Sequence, residues 1–202
     1  MRIIGLTGNI AAGKSAVAAR LAALGAHLVD ADLLAREAVA PGSPALADIV
    51  ARWGPAVLTP AGTLDRAALR RIVFSDARER AALDAIVHPE VARRRETAVA
   101  AAEAAGAEIV VCDIPLLFEA GLEDTVDAII LVDAPESVRR ERLIRDRGLS
   151  LAEANAMLAA QMPSEQKRAR ADYVIDNAGT RDALAEQVDA LWRTLDPRSH
   201  RG

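Results

Sequence analysis

Near the start of the chain runs Gly8-Asn9-Ile10-Ala11-Ala12-Gly13-Lys14-Ser15, an octapeptide that matches the pattern G-x-x-x-x-G-K-[ST] at every fixed position. It follows an apolar run at residues 2–7 that is typical of a buried strand, and it opens a helical pattern. In that context, the backbone N–H groups of the loop and the N-terminus of the helix converge on a phosphate group. We expect Lys14 to reach the β- and γ-phosphates and the Ser15 hydroxyl to bind Mg²⁺. The octapeptide therefore predicts a nucleoside-triphosphate site on an α/β fold of the P-loop type.

Short β-rich runs alternate with helical stretches along the rest of the chain. This alternation predicts a parallel sheet flanked by helices, with five strands at residues 2–7, 26–30, 107–113, 127–133 and 172–176. A gap as long as the one between strands two and three exceeds an ordinary crossover, so we expect a helical acceptor-binding insertion there. The predicted division is a core at about 1–32, 107–135 and 171–195, an insertion at about 33–106 and an arginine-rich helical lid at about 136–170.

Composition excludes several classes of protein. The 29 acidic residues outnumber the 25 basic ones, which argues against a protein that coats nucleic acid. Two Phe, two Trp and one Tyr are too few for a base-stacking platform. No apolar stretch is long enough to span a membrane, and without a leader pattern we expect a cytoplasmic protein. The lone Cys112 lies in an apolar run and is expected to be buried, and we predict no obligate protein partner.

Lysine is scarce, because Lys14 and Lys167 are the two lysines among the 25 basic residues. Lys167 follows Gln166, so the N-K-x-D guanine-recognition motif of switch GTPases is absent. A kinase acting on a small molecule or nucleotide fits the chain length better. Lys167 itself is interpreted as a solvated helix residue.

Two acidic residues stand where the second predicted strand ends. In Asp30-Ala31-Asp32, residues i and i+2 of a strand would share a face. A kinase that phosphorylates an alcohol needs a carboxylate to orient the hydroxyl and accept its proton. Asp32 is the candidate base, with Asp30 as a supporting or metal-linked group. Either residue could instead cap the helix that starts near Leu33.

Arginines cluster in the predicted lid. Arg139, Arg142 and Arg145 have the spacing i, i+3, i+6 and are expected to share one helix face. Phosphoryl transfer needs cations around the γ-phosphate oxygens, and lid arginines supply them in many kinases. A cluster of this kind is also common on a solvated helix face.

Several blocks of the sequence together resemble the dephospho-coenzyme A kinase family. They comprise, in order, Gly5-Leu6-Thr7-Gly8-Asn9-Ile10, Asp30-Ala31-Asp32-Leu33-Leu34-Ala35-Arg36, His88-Pro89, Asp113-Ile114-Pro115-Leu116-Leu117-Phe118-Glu119 and Ala171-Asp172-Tyr173-Val174-Ile175-Asp176-Asn177. The resemblance spans about residues 1–190. It implies ATP-dependent phosphorylation of the ribose 3′-hydroxyl of dephospho-coenzyme A, giving coenzyme A and ADP, with Mg²⁺ as cofactor.

The resemblance also implies roles for individual residues. Asp32 matches the proposed general base, Arg142 the lid arginine, and Asn177 a loop near the adenine of ATP. The acceptor is expected to contact Asp32, Arg36, His88, Pro115, Leu116 and Glu119. ATP is expected to contact Gly8, Asn9, Ile10, Ala11, Ala12, Gly13, Lys14, Ser15, Ala16, Arg142 and Asn177, and Mg²⁺ to bind Ser15 with a contribution from Asp30 or Asp32.

Some positions depart from the family pattern or are ambiguous. Ala11-Ala12 stands where Gly-Ser is commoner, and Asp146 stands where a second lid arginine often falls, between Arg145 and Arg147. Without the resemblance, His88-Pro89 would equally fit a helix boundary. Two other functions fit the phosphate loop: a nucleoside or nucleotide kinase, and a nucleotide-gated binding protein that hydrolyses ATP slowly.

Overall fold

The computed structural model describes residues 1–74 and 76–195. Within these residues, five strands form one sheet: β1 (Arg2–Gly8), β2 (His27–Asp30), β3 (Ile109–Asp113), β4 (Ala128–Asp133) and β5 (Tyr173–Asp176). Each lies within two residues of its predicted position. The α/β fold with a five-stranded sheet is therefore confirmed.

The strands lie in the order β2-β3-β1-β4-β5, and β1 sits at the centre. It pairs in parallel with β3, where Leu6 lies opposite Asp113, and with β4, where Gly8 lies opposite Val132. All six residues of β4 are buried, as expected of a parallel strand covered on both faces. The carboxyl ends of β1, β3 and β4 consequently meet at one edge of the sheet, where open α/β sheets bind their ligands.

Helices pack on the sheet through an apolar core. Helix α1 (Lys14–Ala23) follows the phosphate loop, and α9 (Arg181–Leu195) follows β5. The inward side chains of both helices pack against the central strands of the sheet. The helices contribute Val17, Leu21, Val188 and Trp192, and the strands contribute Ile4, Leu6, Val111, Ile130 and Val132. The chain turns after α1 at Gly25, whose positive φ is a conformation that residues with a side chain resist.

By their internal contacts the described residues form two compact units: Met1–Val29 with the residues from Ala102 onward, and Asp30–Ala101. The second unit contains α2 (Ala31–Ala38), α3 (Pro44–Trp53), a 3₁₀ turn at Pro55–Val57, α4 (Arg66–Phe74) and most of α5 (Ala77–Ala104). Its own core is formed by Val39, Ala45, Ile49, Val57 and Leu69. As predicted, this part of the chain is helical.

Helix α5 runs straight through His88-Pro89, so the helix boundary allowed by that dipeptide is wrong. Pro89 has no N–H to donate to the preceding turn, and one helical hydrogen bond is lost there. The helix continues because the residues on both sides make ion pairs and apolar contacts within the unit, including Glu90 with Arg93 and Arg94 and Leu83, Ile86 and Val87 with the core.

The predicted lid consists of three short helices, α6 (Glu136–Arg147), α7 (Leu151–Ala159) and α8 (Ser164–Arg168). Gly148 ends α6 in the left-handed conformation, and a capping box between Ser150 and Glu153 starts α7. Leu143, Ala154 and Leu158 form a small apolar cluster, and Ile10 and Ala11 of the phosphate loop pack against it. In the part of the chain that the structure describes, no helix is both long and apolar enough to cross a bilayer.

Candidate active site

The phosphate loop connects β1 to α1 and depends on two glycines. Gly13 is the N-cap of α1 with φ 91°, a left-handed conformation that suits glycine. A Cβ atom on Gly13 would lie 2.0 Å from Asn177 Nδ2, and one on Gly8 would lie 2.5 Å from the carbonyl oxygen of Val132. Because Gly13 has no side chain, none caps α1, and the first-turn N–H groups stay available to an anion.

Ala11 also takes a positive φ, 59°, at the position where glycine is commoner in the pattern. A left-handed conformation costs a residue with a Cβ about 1–2 kcal/mol. Ala11 packs against the Leu143 cluster, and this contact offsets part of that cost. Ala11 therefore adopts the left-handed backbone conformation that glycine favours at this position, although its side chain differs from the usual one.

Lys14 forms an ion pair with Asp113 at the end of β3. The pairing of β1 with β3 brings the two residues together, since Asp113 lies beside Leu6 in the register. Both side chains are mostly shielded from water, so the attraction is stronger than at the surface. Asp113 is the last residue of the predicted strand 107–113, but the sequence analysis predicted no role for it near the phosphates.

Arg142 reaches from α6 to the phosphate loop, whereas its predicted contact with the ATP phosphates stays a prediction. Its Nη1 donates to the carbonyl oxygen of Ala11 at 3.1 Å, and its Nη2 donates to that of Asn177 at 2.8 Å. The Asn177 side chain in turn donates to the carbonyl oxygen of Ala12 at 2.8 Å. Arg142 and Asn177 therefore fix the carbonyl oxygens of Ala11 and Ala12 in the loop.

The expectation that Arg139, Arg142 and Arg145 share one face is wrong. At 100° per residue, Arg145 is rotated roughly 120° from Arg139 around the helix axis. Arg139 is 5% exposed and donates to the carbonyl oxygen of Ala134, and burial lowers its pKa against the opposing effects of Asp133 and Glu136. Arg145 is at the surface, where its hydrogen bond lowers the pKa of the Asp146 carboxyl. Of the three, Arg142 contacts the loop.

Asp30 and Asp32 do not share a strand face, because β2 ends at Asp30. Asp30 is the N-cap of α2, and its Oδ1 accepts from the N–H groups of Asp32 (2.8 Å) and Leu33 (3.1 Å). The capping alternative is thus the one that Asp30 adopts. Asp32 lies in the first turn of α2 with an exposed side chain.

The residues expected to contact the acceptor fall in both units. In the sheet-containing unit, Leu116 is exposed, and the carbonyl oxygen of Pro115 accepts from the Thr7 hydroxyl at 3.1 Å. In the helical unit, Arg36 is exposed on α2, and His88 Nε2 on α5 lies 3.7 Å from Asp84 Oδ1. Their predicted roles in acceptor binding stay predictions.

The sequence profile of the dephospho-CoA kinase family matches residues 2–182. The chain belongs to this family. It is 54% identical to the dephospho-CoA kinase of Anaeromyxobacter dehalogenans over 96% of this chain and 92% of that one. A crystal structure from Thermus thermophilus superposes with a TM-score of 0.83 at 40% identity, covering 96% of this chain and 98% of the other. The dephospho-CoA kinase of Campylobacter jejuni, at 24% identity, shares the fold with a TM-score of 0.73 over 96% of each chain. The resemblance inferred from the motifs is confirmed.

In this member of the dephospho-CoA kinase family, the sequence reasoning misread one residue, Lys167, and predicted no role for another, Gln161. Lys167 is fully buried, with Nζ 2.7 Å from Glu119 Oε1, so its interpretation as a solvated residue is wrong. Gln161 accepts from the N–H of Ile10. The Asn9 side chain points into the protein and donates to Met162 and Ser164, and the predicted contact of Asn9 with ATP stays a prediction. The pattern of α8 contained no signal for Lys167, because SEQKR reads as uniformly polar.

Proposed function

We propose that this chain transfers the γ-phosphoryl group of ATP to the 3′-hydroxyl of the ribose of dephospho-CoA, which gives coenzyme A and ADP. The family to which it belongs carries out this reaction as the final step of coenzyme A biosynthesis. The observation that supports the proposal most is the fully formed phosphate loop, with Lys14, Arg142 and Asn177 placed around it.

The loop supplies the phosphate-binding part of the reaction. N–H groups of the loop and the N-terminus of α1 would bind the phosphates, and Lys14 would stabilise the negative charge that moves onto the β–γ bridging oxygen. In the structure Lys14 pairs with Asp113. That pair keeps the ammonium group at the carboxyl end of the sheet, ready to exchange part of its contact for a phosphate oxygen.

Asp32 is the group we propose as general base. Within the described residues its carboxylate is exposed on α2 and takes no part in the cap, whereas Asp30 Oδ1 is occupied by two backbone N–H groups. A carboxylate free to approach a hydroxyl can orient it and accept its proton as the phosphorus–oxygen bond forms. This difference favours Asp32 over Asp30.

Mg²⁺ fits the donors present. The described residues hold no cluster of three or more His, Cys, Asp or Glu side chains that could enclose a metal ion. Mg²⁺ in kinases needs no such enclosure, because it binds one or two protein oxygens together with phosphates and water. The Ser15 hydroxyl in the first turn of α1 would hold it, and the contribution expected from Asp30 or Asp32 stays a prediction. The Asp113 carboxylate at the end of β3 is a further candidate ligand. When bound, the ion would neutralise charge on the β- and γ-phosphates.

We propose that Asp32, Arg36 and His88 of the unit Asp30–Ala101 contact the acceptor; the contacts expected of Pro115, Leu116 and Glu119 stay predictions from the sequence. The helices α6–α8 would serve as the lid. A cytoplasmic location and the absence of nucleic-acid, membrane or obligate protein partners stay predictions from the sequence.

A comparison of acceptors tests the proposed function. ADP release is measured with a coupled assay in the presence of Mg²⁺ and ATP, with dephospho-CoA, adenosine, AMP or shikimate as acceptor. We expect the highest kcat/KM with dephospho-CoA. Higher kcat/KM with adenosine or AMP would show a nucleoside or nucleotide kinase, and no acceptor-dependent turnover would contradict a kinase altogether.

A further inference from the structure

The connection between α7 and α8, residues Gln161 to Ser164, is hydrogen-bonded directly to the phosphate loop. We call it the α7–α8 turn. Gln161 Oε1 accepts from the N–H of Ile10 at 2.7 Å. In the opposite direction, Asn9 Nδ2 donates to the carbonyl oxygen of Met162 and to the Ser164 hydroxyl oxygen, at 3.2 Å each. The sequence separation is about 150 residues, so these bonds connect the first β–α junction to the predicted lid.

These bonds lie in a partly buried environment. Asn9 is 5% exposed, and Ile10 and Ala11 pack against Leu143, Ala154 and Leu158 on α6 and α7. Away from water, a polar group that loses its partner bears the full cost of its desolvation. The Ile10 N–H therefore depends on the Gln161 oxygen, and the loop cannot shift away from the turn without breaking that bond.

The far side of the α7–α8 turn is fixed as well. Glu119 Oε1 accepts from the Met162 N–H at 3.3 Å and lies 2.7 Å from Lys167 Nζ. The Ser164 hydroxyl donates to Asp133 Oδ1 at 2.9 Å, at the end of β4. The turn is thus held between the phosphate loop on one side and, on the other, the segment after β3 and the end of β4. Because the turn is bonded on both sides, it fixes the position of the phosphate loop relative to the end of β4.

We infer that Gln161 is a positioning residue for the phosphate loop. This inference relies on the proposed function in that the loop must bind the ATP phosphates. By accepting from Ile10, Gln161 withdraws that N–H group from phosphate binding and fixes the orientation of the next peptide groups, from Ala11 to Gly13. The loop then offers a preformed set of N–H groups, and nucleotide binding does not have to supply the free energy of ordering them.

Gln161→Met tests the inference, with Gln166→Met as the matched control. Methionine keeps the length of glutamine and removes the amide acceptor, and Gln166 lies on the exposed side of α8. We expect Gln161→Met to weaken MgADP binding, measured by calorimetry, about fivefold to tenfold, the range of one net hydrogen bond. KM for ATP should rise while KM for dephospho-CoA stays within twofold, and the Ile10 amide should exchange its hydrogen faster in NMR spectra. Gln166→Met should match the wild type in all of these.

The outcomes separate this inference from the proposed function. If the wild type fails to bind MgADP, the proposed function fails; if Gln161→Met binds MgADP within twofold of the wild type, the positioning role is overturned. Should Gln161→Met not fold, Gln161→Glu retains an acceptor oxygen at the same place. Its Ile10 amide should be as well protected as in the wild type, whatever the added charge does to nucleotide affinity. Fast exchange at Ile10 in a folded Gln161→Glu protein would also overturn the inference.

Discussion

Gly13 shows how one residue joins two requirements of the phosphate loop. Its positive φ is a backbone requirement, and the approach of Asn177 to its Cα is a packing requirement. The pattern G-x-x-x-x-G-K-[ST] predicts the first requirement. The second needs the fold, because Asn177 lies more than 160 residues away in the sequence.

Gly13→Ala should therefore damage nucleotide binding more than strain alone would. A Cβ atom would displace Asn177 Nδ2 and break its bond to Ala12. We expect MgADP affinity to fall at least about tenfold, since both a hydrogen bond and the loop conformation are lost. The control is Gly42→Ala, where φ is also positive, at 84°, but the space around Cβ is open. That variant should cost about 1–2 kcal/mol of stability and leave MgADP affinity unchanged.

The proposed base is tested by Asp32→Asn. The amide keeps the size of the side chain but cannot accept the hydroxyl proton. We expect kcat to fall about 100-fold or more, as for the loss of a general base, with the affinity for ATP nearly unchanged. Asp48→Asn, another exposed acid of the helical unit, should retain wild-type kcat. Near-normal kcat in Asp32→Asn would remove this residue from the proton transfer.

At the level of single elements, the strands were predictable and the helix faces less so. Continuous apolar runs locate buried strands to within two residues, because both faces of a parallel sheet exclude polar side chains. The prediction that the arginines of α6 share one face was wrong. Residues spaced i, i+3, i+6 are rotated progressively around the helix axis, so that the first and the last point in different directions. The prediction that Asp32 shares a strand face with Asp30 assumed that the strand continues past Asp30. In the structure Asp30 ends the strand and caps the helix that contains Asp32.

Helix α5 carries an acid whose titration should be visible in stability. Hydrogen bonds from Arg93, and then Arg94, lower the pKa of Glu90 from its usual 4.5 to about 2, although desolvation opposes them. The stabilisation is therefore present above the unfolded-state pKa and disappears as the pH falls toward the folded-state value. Glu90→Gln should lower the urea midpoint at pH 7, and the difference from wild type should vanish near pH 2. Glu96→Gln, exposed on the same helix, should have little effect at either pH.

At the level of the whole molecule, the Glu119–Lys167 pair joins the segment after β3 to α8. The pair is asymmetric, because the Lys167 side chain is 0% exposed and that of Glu119 is 24% exposed. Removing the Glu119 carboxylate leaves the buried ammonium group of Lys167 without a counter-ion. Removing the ammonium group leaves a carboxylate that water can reach. The sequence does not predict this pair, because the burial of Lys167 depends on distant segments of the chain that cover it in the folded protein.

Glu119→Gln should consequently destabilise the protein more than Lys167→Met. We expect a loss of about 3–5 kcal/mol in the free energy of unfolding for Glu119→Gln, as for a broken buried pair. Lys167→Met should cost less, because the apolar side chain fills the same space. Urea unfolding of both single variants and of the double variant measures the difference and the coupling. Equal losses in the two single variants would contradict the asymmetry.

The burial of Lys167 has a practical consequence for chemical labelling. The chain has two lysines. The Lys167 side chain is fully buried in the folded protein, and the Lys14 side chain lies at the phosphate loop. Apart from the α-amino group, an acylating reagent should therefore modify Lys14 at the phosphate loop while the protein is native, and Lys167 as well once the protein unfolds. A single mass spectrum, taken with and without MgATP, then reports both the folded state and the occupancy of the loop.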